Sequence, residues 1–208
     1  MSGGPLLRVD ALSFSYPRRH VFTDWSADFG GGINWVRGSN GSGKSTLLKL
    51  LGGALPAAAG SVVLGAVDSA AQPLDYRRQV FWCGPGAVPF EHLTPAEYFG
   101  FMHGLYPRFD AAALERHVRG FALAPQLHAA LGTLSTGTQR KTWLAAALAA
   151  GCRATLLDEP INALDAASHA HLLAVLAEAA ADRSRCWIVA SHESLGDAGA
   201  HAAVFDLG

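Results

Sequence analysis

Gly38-Ser39-Asn40-Gly41-Ser42-Gly43-Lys44-Ser45 governs how the rest of the chain is read. The octapeptide fits G-x-x-x-x-G-K-[ST], and each fixed position has a chemical reason. Glycines let successive backbone N–H groups curl around phosphate oxygens with no side chain in the way. A helix opening near Lys44 points the positive end of its dipole at the same anion. Lys44 then reaches the β- and γ-phosphates, and the Ser45 hydroxyl is suited to ligate Mg²⁺. The loop by itself reads as a binder of nucleotide phosphates and leaves the subclass open.

Its flanks support that reading. An apolar strand, Ile33 to Val36, runs straight into the loop, and a helix from Lys44 to Leu51 follows, stopped by Gly52 and Gly53. Further strands are expected at Leu6 to Phe14, Ser61 to Leu64 and Val80 to Trp82. Thr94-Pro95 is a good helix start, so helices are expected over Pro95 to Leu105 and Ala111 to Arg119. Alternation then resumes: helix Thr138 to Ala150, strand Thr155 to Leu157, helix Ala166 to Ala181, strand Cys186 to Ala190, and a short strand at Ala203 to Leu207. Strand and helix in alternation imply an α/β fold with a mostly parallel sheet, into which the middle helices are inserted.

Composition excludes other classes. Half of the 208 residues are hydrophobic and 16% are charged, a globular rather than a disordered balance. The formal net charge of −1 gives no global basic field for nucleic acid, so none is expected as a partner. Cys83, Cys152 and Cys186 lack metal-type spacing and read as buried reduced thiols of a cytosolic protein. Met1 to Phe14 lacks the basic start and apolar core of a signal peptide. No stretch reaches the ~18 uninterrupted apolar residues of a membrane span, so a membrane link is expected through a partner.

Four further motifs select the subclass. Thr155-Leu156-Leu157-Asp158-Glu159-Pro160 is a strand ending in two carboxylates. Asp158 suits the Mg²⁺ shell, as in the Walker-B element, and Glu159 can orient or deprotonate an attacking water. Leu134-Ser135-Thr136-Gly137-Thr138 precedes a helix, where Ser135 and the Gly137 backbone form a second anion site or, equally, a plain N-cap. Here the chain resembles the ABC ATPase family, whose signature most often reads LSGGQ. Leu134, Ser135 and Gly137 match it, whereas Thr136 and Thr138 depart from it.

The resemblance continues in family order from Tyr16 to His192. Asn162-Ala163-Leu164-Asp165 resembles the D-loop, although Asp165 also suits the N-cap of the next helix. His192, after Ser191, resembles the switch histidine near the γ-phosphate. Tyr16 resembles the aromatic that stacks on adenine, an interaction worth ~1–3 kcal/mol; packing at the sheet edge is its alternative role and Phe14 its rival. The family's glutamine after the third strand is absent from Val80-Phe81-Trp82-Cys83-Gly84-Pro85-Gly86, and Pro85 falls in its place.

The resemblance implies a P-loop NTPase: a RecA-like core, a small N-terminal antiparallel sheet, and a helical subdomain over about 91–135 of one domain spanning 1–208. It implies ATP bound by Tyr16, by Gly38 through Ser45 and by Thr46, with Mg²⁺ held by Ser45 and Asp158. Lys44, Glu159 and His192 are the expected catalytic groups. Ser135 and Gly137 are expected to serve the ATP of a second ATPase subunit, in a homodimer or heterodimer formed with nucleotide. A membrane permease is the other implied partner, with this chain peripheral at the cytoplasmic face and soluble in isolation. Its size and LSTG form resemble the ATPases of small exporters, the haem-exporter type of cytochrome c maturation included. A soluble ABC ATPase acting on DNA or ribosomes, a P-loop kinase or GTPase, and a non-hydrolysing cassette are the competing readings.

Overall fold

The computed structural model describes residues 4–85 and 90–207. Among them run nine strands: β1 (Leu7–Tyr16), β2 (Arg19–Phe29), β3 (Gly32–Arg37), β4 (Ala59–Leu64), β5 (Val67–Asp68), β6 (Val80–Cys83), β7 (Ala154–Asp158), β8 (Cys186–Ala190) and β9 (Ala203–Asp206). They form two sheets. One is antiparallel in the order β2-β1-β4-β5; the other is parallel in the order β6-β7-β8-β3-β9. Every residue of β7 and β8 is buried, as uninterrupted apolar strands covered on both faces should be. Successive side chains point to opposite faces. Leu156 therefore joins one core with the antiparallel sheet, and Leu157 joins the other with the long helices.

The helices are α1 (Lys44–Leu51), α2 (Pro73–Arg77), α3 (Pro95–Leu105), α4 (Ala111–Gly120), α5 (Thr136–Ala149), α6 (Ala166–Ala181) and α7 (Asp197–Ala200). α1 packs on β7 and β8, whereas α5 packs on β6 and α6 on β3. α3 opens with a reciprocal capping box: Thr94 Oγ1 accepts from Glu97 N–H, and Glu97 accepts from Thr94 N–H. All three cysteines are buried and free, and burial pushes the Cys83 thiol up to about 11.

Differences from the sequence reading have local causes. β2 was not anticipated, because its face pattern is mostly exposed and polar and its alternation is interrupted. Ala11 and Asp24 have φ of 47° and 48°, and the β1–β2 register shifts along its length. The short α2 and α7 also went unread. α5 starts at Thr136 rather than Thr138, since the Ser135 hydroxyl accepts from Thr138 N–H and so caps the helix two residues earlier. Pro85 is exposed in a turn after β6, and Gly86 lies outside the described residues.

Two joints hold the elements that carry the site. Gly151, with φ +63°, turns the chain from α5 into β7, and a Cβ there would land on the Arg108 carbonyl oxygen. At the α4–α6 contact, buried His117 Nδ1 lies 3.2 Å from His171 Nε2. Burial, then the Arg116 guanidinium and His171, hold His117 down to about 4, against a smaller opposing effect of Asp110.

Gly151→Ala should destabilise the protein by about 2 kcal/mol or more in urea unfolding, through the left-handed backbone and the carbonyl clash together. His117 has a depressed pKa in the folded state, so the unfolded chain takes up its proton first as pH falls. The contribution of the neutral histidine is complete above about pH 6.5 and is lost towards about pH 4, by roughly 1 kcal/mol per pH unit. His117→Gln should flatten that slope in unfolding measured from pH 7 to 4.

Candidate functional site

The C-terminal ends of β3, β7 and β8 lie side by side, the position where open parallel sheets hold ligands. β3 leads into the Gly38–Ser45 loop, β7 ends at Asp158 with Glu159 next, and β8 ends two residues before His192. Gly43, with φ +108°, is the N-cap of α1, and a Cβ there would come 2.9 Å from Val21. Only glycine fits both that backbone and that contact.

Lys44 is 6% exposed; its ammonium donates to the carbonyls of Gly38 (2.7 Å) and Ser39 (3.2 Å). Glu159 Oε1 lies 3.6 Å from the same ammonium. The other carboxylate oxygen, Oε2, is 2.9 Å from His192 Nδ1. Lys44, Glu159 and His192 thus form one chain of charge-assisted contacts. A cavity of about 210 Å³ opens over it, lined among others by Tyr16, Asn40, Gly41, Ser45, Thr46 and Glu159. Gly38, Ser39 and Ser42 sit behind it, where Ser42 N–H donates to Ser39 O. A larger hollow of about 390 Å³ between Arg78, Arg108 and Arg153 faces the opposite, N-terminal ends of β6 and β7.

Asp158 is fully buried, and both its carboxylate oxygens lack a hydrogen-bond partner among the described residues. Burial raises its pKa; the neighbouring Ser45 hydroxyl and Arg140 guanidinium oppose that, and Glu159 adds to it. A buried carboxylate with unused oxygens beside a serine hydroxyl fits a hard divalent cation, which takes oxygen ligands and keeps waters. Among the described residues no cluster of three or more histidine, cysteine or acidic side chains offers a denser metal site.

Tyr16 and Phe14 separate cleanly. Phe14 packs against the core, while Tyr16 is 40% exposed, lines the cavity and shares a hydrogen bond of 3.3 Å with Thr46 Oγ1. Ser135 and Gly137 do not line the cavity: Ser135 caps α5, and its hydroxyl meets Thr138 Oγ1 at 2.9 Å. Asp165 caps α6 through Ser168 N–H, and the Lys141 ammonium, bonded to it, holds its carboxyl well below the usual range.

Sequence reasoning missed Arg19, which lines the cavity and donates to Gly41 O, and Arg140 and Lys141, which grip the acid pair and the D-loop segment. Arg19 follows Tyr16 by three residues, but without β2 no pattern placed it over the loop. Arg140 and Lys141 follow the LSTGT stretch directly, where helical spacing from Gly137 was the available signal.

Comparison with known proteins agrees with this arrangement. The family described as ABC transporter matches residues 30–162. The chain is 36% identical over 200 residues to the cytochrome c biogenesis ATP-binding export protein CcmA of Cupriavidus pinatubonensis, covering 92% of this chain and 85% of that protein. It is 32% identical over 165 residues to the putrescine transport ATP-binding protein PotG of Escherichia coli, covering 77% of this chain and 44% of that one. Among solved structures, an ATP-binding subunit of an ABC transporter superposes with a TM-score of 0.80 at 26% identity, over 90% of this chain and 79% of that one.

Lys44→Ala removes the one ammonium at the mouth of the loop while leaving α1 and its core contacts in place. ATP turnover should fall at least about 100-fold, through loss of the contact to phosphate, with only a modest drop in the unfolding midpoint from the lost bonds to the Gly38 and Ser39 carbonyls. A folded Lys44→Ala protein with normal turnover would contradict the assignment of the loop.

Proposed function

The chain belongs to the ABC transporter family as an ATP-binding, ATP-hydrolysing subunit, and we propose that it drives a membrane-spanning partner by closing over Mg-ATP with a second ATPase subunit. The observation that carries the reading is the split of the machinery. Lys44, Glu159 and His192 share one contact chain, whereas Ser135 and Gly137 stand apart from their own cavity. A helix N-terminus opened by Ser135 suits the γ-phosphate of a neighbour's nucleotide, because its free N–H groups and dipole favour an anion.

Each residue then has a task. Gly38 to Ser45 cradle the phosphates, with Lys44 bonding the β- and γ-oxygens. Tyr16 supports adenine with its exposed ring, and Thr46 holds the Tyr16 hydroxyl. Ser45 and Asp158 hold Mg²⁺, which when bound offsets charge on the phosphate oxygens. Glu159 accepts the proton of the attacking water, and His192 fixes the carboxylate through Oε2. Asp165 closes the D-loop against its own α5. Pro85 supplies no ligand, so waters complete the cation shell there.

Residues 1–208 act as a single ATPase domain, with 91–135 as its helical subdomain. No helix among the described residues is long and apolar enough to cross a membrane, so the permease supplies the pathway and chooses the cargo. The chain works at the cytoplasmic face of that permease. Similarity to a protein named for export favours export as the direction.

Glu159→Gln tests the reading, since it keeps the shape and loses the proton acceptor. Hydrolysis should fall by about 100-fold or more while ATP still binds. Unhydrolysed ATP then stabilises the dimer by mass action. Light scattering on a sizing column should give a dimer with Mg-ATP and a monomer without it. Ser135→Arg in the same background should remove the dimer and leave ATP binding. A Glu159→Gln protein that binds ATP tightly and stays monomeric at high concentration would refute the shared site.

A further inference from the structure

α5 carries Gly137, Arg140 and Lys141 on one face at i, i+3 and i+4 spacing. All three meet the segment that runs from the end of β7 to the start of α6. A Cβ on Gly137 would come 2.8 Å from the Ala163 carbonyl oxygen, so the helix and the D-loop segment approach as closely as glycine allows. Lys141 pairs with Asp165. Arg140, 7% exposed, donates from Nη2 to two successive carbonyls, that of Asp158 and that of Glu159, the latter at 2.6 Å.

The second carbonyl is the informative one. Glu159 has φ +47°, a left-handed backbone that costs a non-glycine residue about 1–2 kcal/mol. Such a conformation persists only where its surroundings fix it. Here the Glu159 N–H donates to the Ala190 carbonyl at 2.8 Å, and its own carbonyl accepts from Arg140 at 2.6 Å and, more weakly, from the Asn162 N–H at 3.3 Å. The peptide groups on both sides of the Glu159 Cα are therefore anchored, one to β8 and one to α5. That leaves the side chain a single exit, towards Lys44 and His192. A simple cap on the end of β7 needs only the Asp158 carbonyl satisfied; the shorter bond to the next carbonyl adds a side-chain hold on the turn that the Asn162 N–H also closes.

We propose that Arg140 is a positioning residue for Glu159: it locks the left-handed turn that aims the Glu159 carboxylate, and it does so without touching ATP. The proposal rests on the reading of Glu159 as the acceptor of the water's proton. It also ties the helix that opens at Ser135 to the same chain's own acid, through the N-terminal half of α5.

The test is steady-state ATPase kinetics with ATP binding and thermal unfolding, on Arg140→Met and Arg140→Lys. A displaced catalytic group typically costs about 10- to 100-fold, so Arg140→Met should lose that much in kcat with KM and ATP affinity nearly unchanged. Arg140→Lys, which can donate to either carbonyl, should recover part of the loss. A folded Arg140→Met protein with wild-type kcat would overturn the proposal. So would ATP affinity falling in step with kcat, the mark of a general loss of structure. Should Arg140→Met not fold, Arg140→Lys decides on the same terms: a fall in kcat alone supports the proposal, and unchanged kcat or parallel losses overturn it. Glu159→Gln run beside them separates the two claims, because undiminished turnover there refutes the role of Glu159 itself, whatever Arg140 does.

Discussion

The end of β7 is the constraint around which this protein is built. A fully buried strand stops there, and within two residues it must satisfy two carbonyls and bury one carboxylate while leaving a second within reach of the cavity. Burial makes each of those groups costly to leave alone. Arg140 takes the carbonyls, Ala190 takes the Glu159 N–H, and Lys44 and His192 bracket the Glu159 carboxylate. The Asp158 oxygens are left without a hydrogen-bond partner among the described residues, beside the Ser45 hydroxyl.

The two cores serve that strand end from opposite sides. On one face, α1 and the antiparallel sheet pack against Leu156 and Ile188, which fixes the phosphate loop relative to β7. On the other, α5 and α6 pack against Leu157 and Val189 and carry Ser135 and Asp165 at their N-termini. A movement of α5 therefore reaches the acid pair through packed side chains and buried hydrogen bonds. Close-packed interiors transmit such displacements rather than absorbing them.

Much of this was legible in the sequence because the informative groups are local. The phosphate loop, the strand ending in Asp158-Glu159 and the helix after Ser135 each declare themselves within eight residues, and the structure brings Lys44, Glu159 and His192 into contact. What escaped reading was long-range or irregular. β2 is an edge strand with one left-handed residue, Asp24, and a shifting register with β1, so its alternation carries little signal. The roles of Arg19 and Arg140 depend on backbone carbonyls brought near by folding, and no spacing rule reports a carbonyl. Alternation could not choose between Phe14 and Tyr16, two residues apart on one strand; Phe14 packs against the core and Tyr16 lines the cavity.

The central claim is that a complete site draws Lys44 from one subunit and Ser135 from another. Mixing two impaired proteins, Lys44→Ala and Ser135→Ala, the second of which loses the hydroxyl without blocking the interface, tests it most directly. A mixed dimer holds one site with both defects and one site with neither, so the mixture should hydrolyse ATP faster than either protein alone. A mixture that stays inactive at concentrations where the wild-type subunit turns over ATP, or a Ser135→Ala protein fully active by itself, would contradict the account.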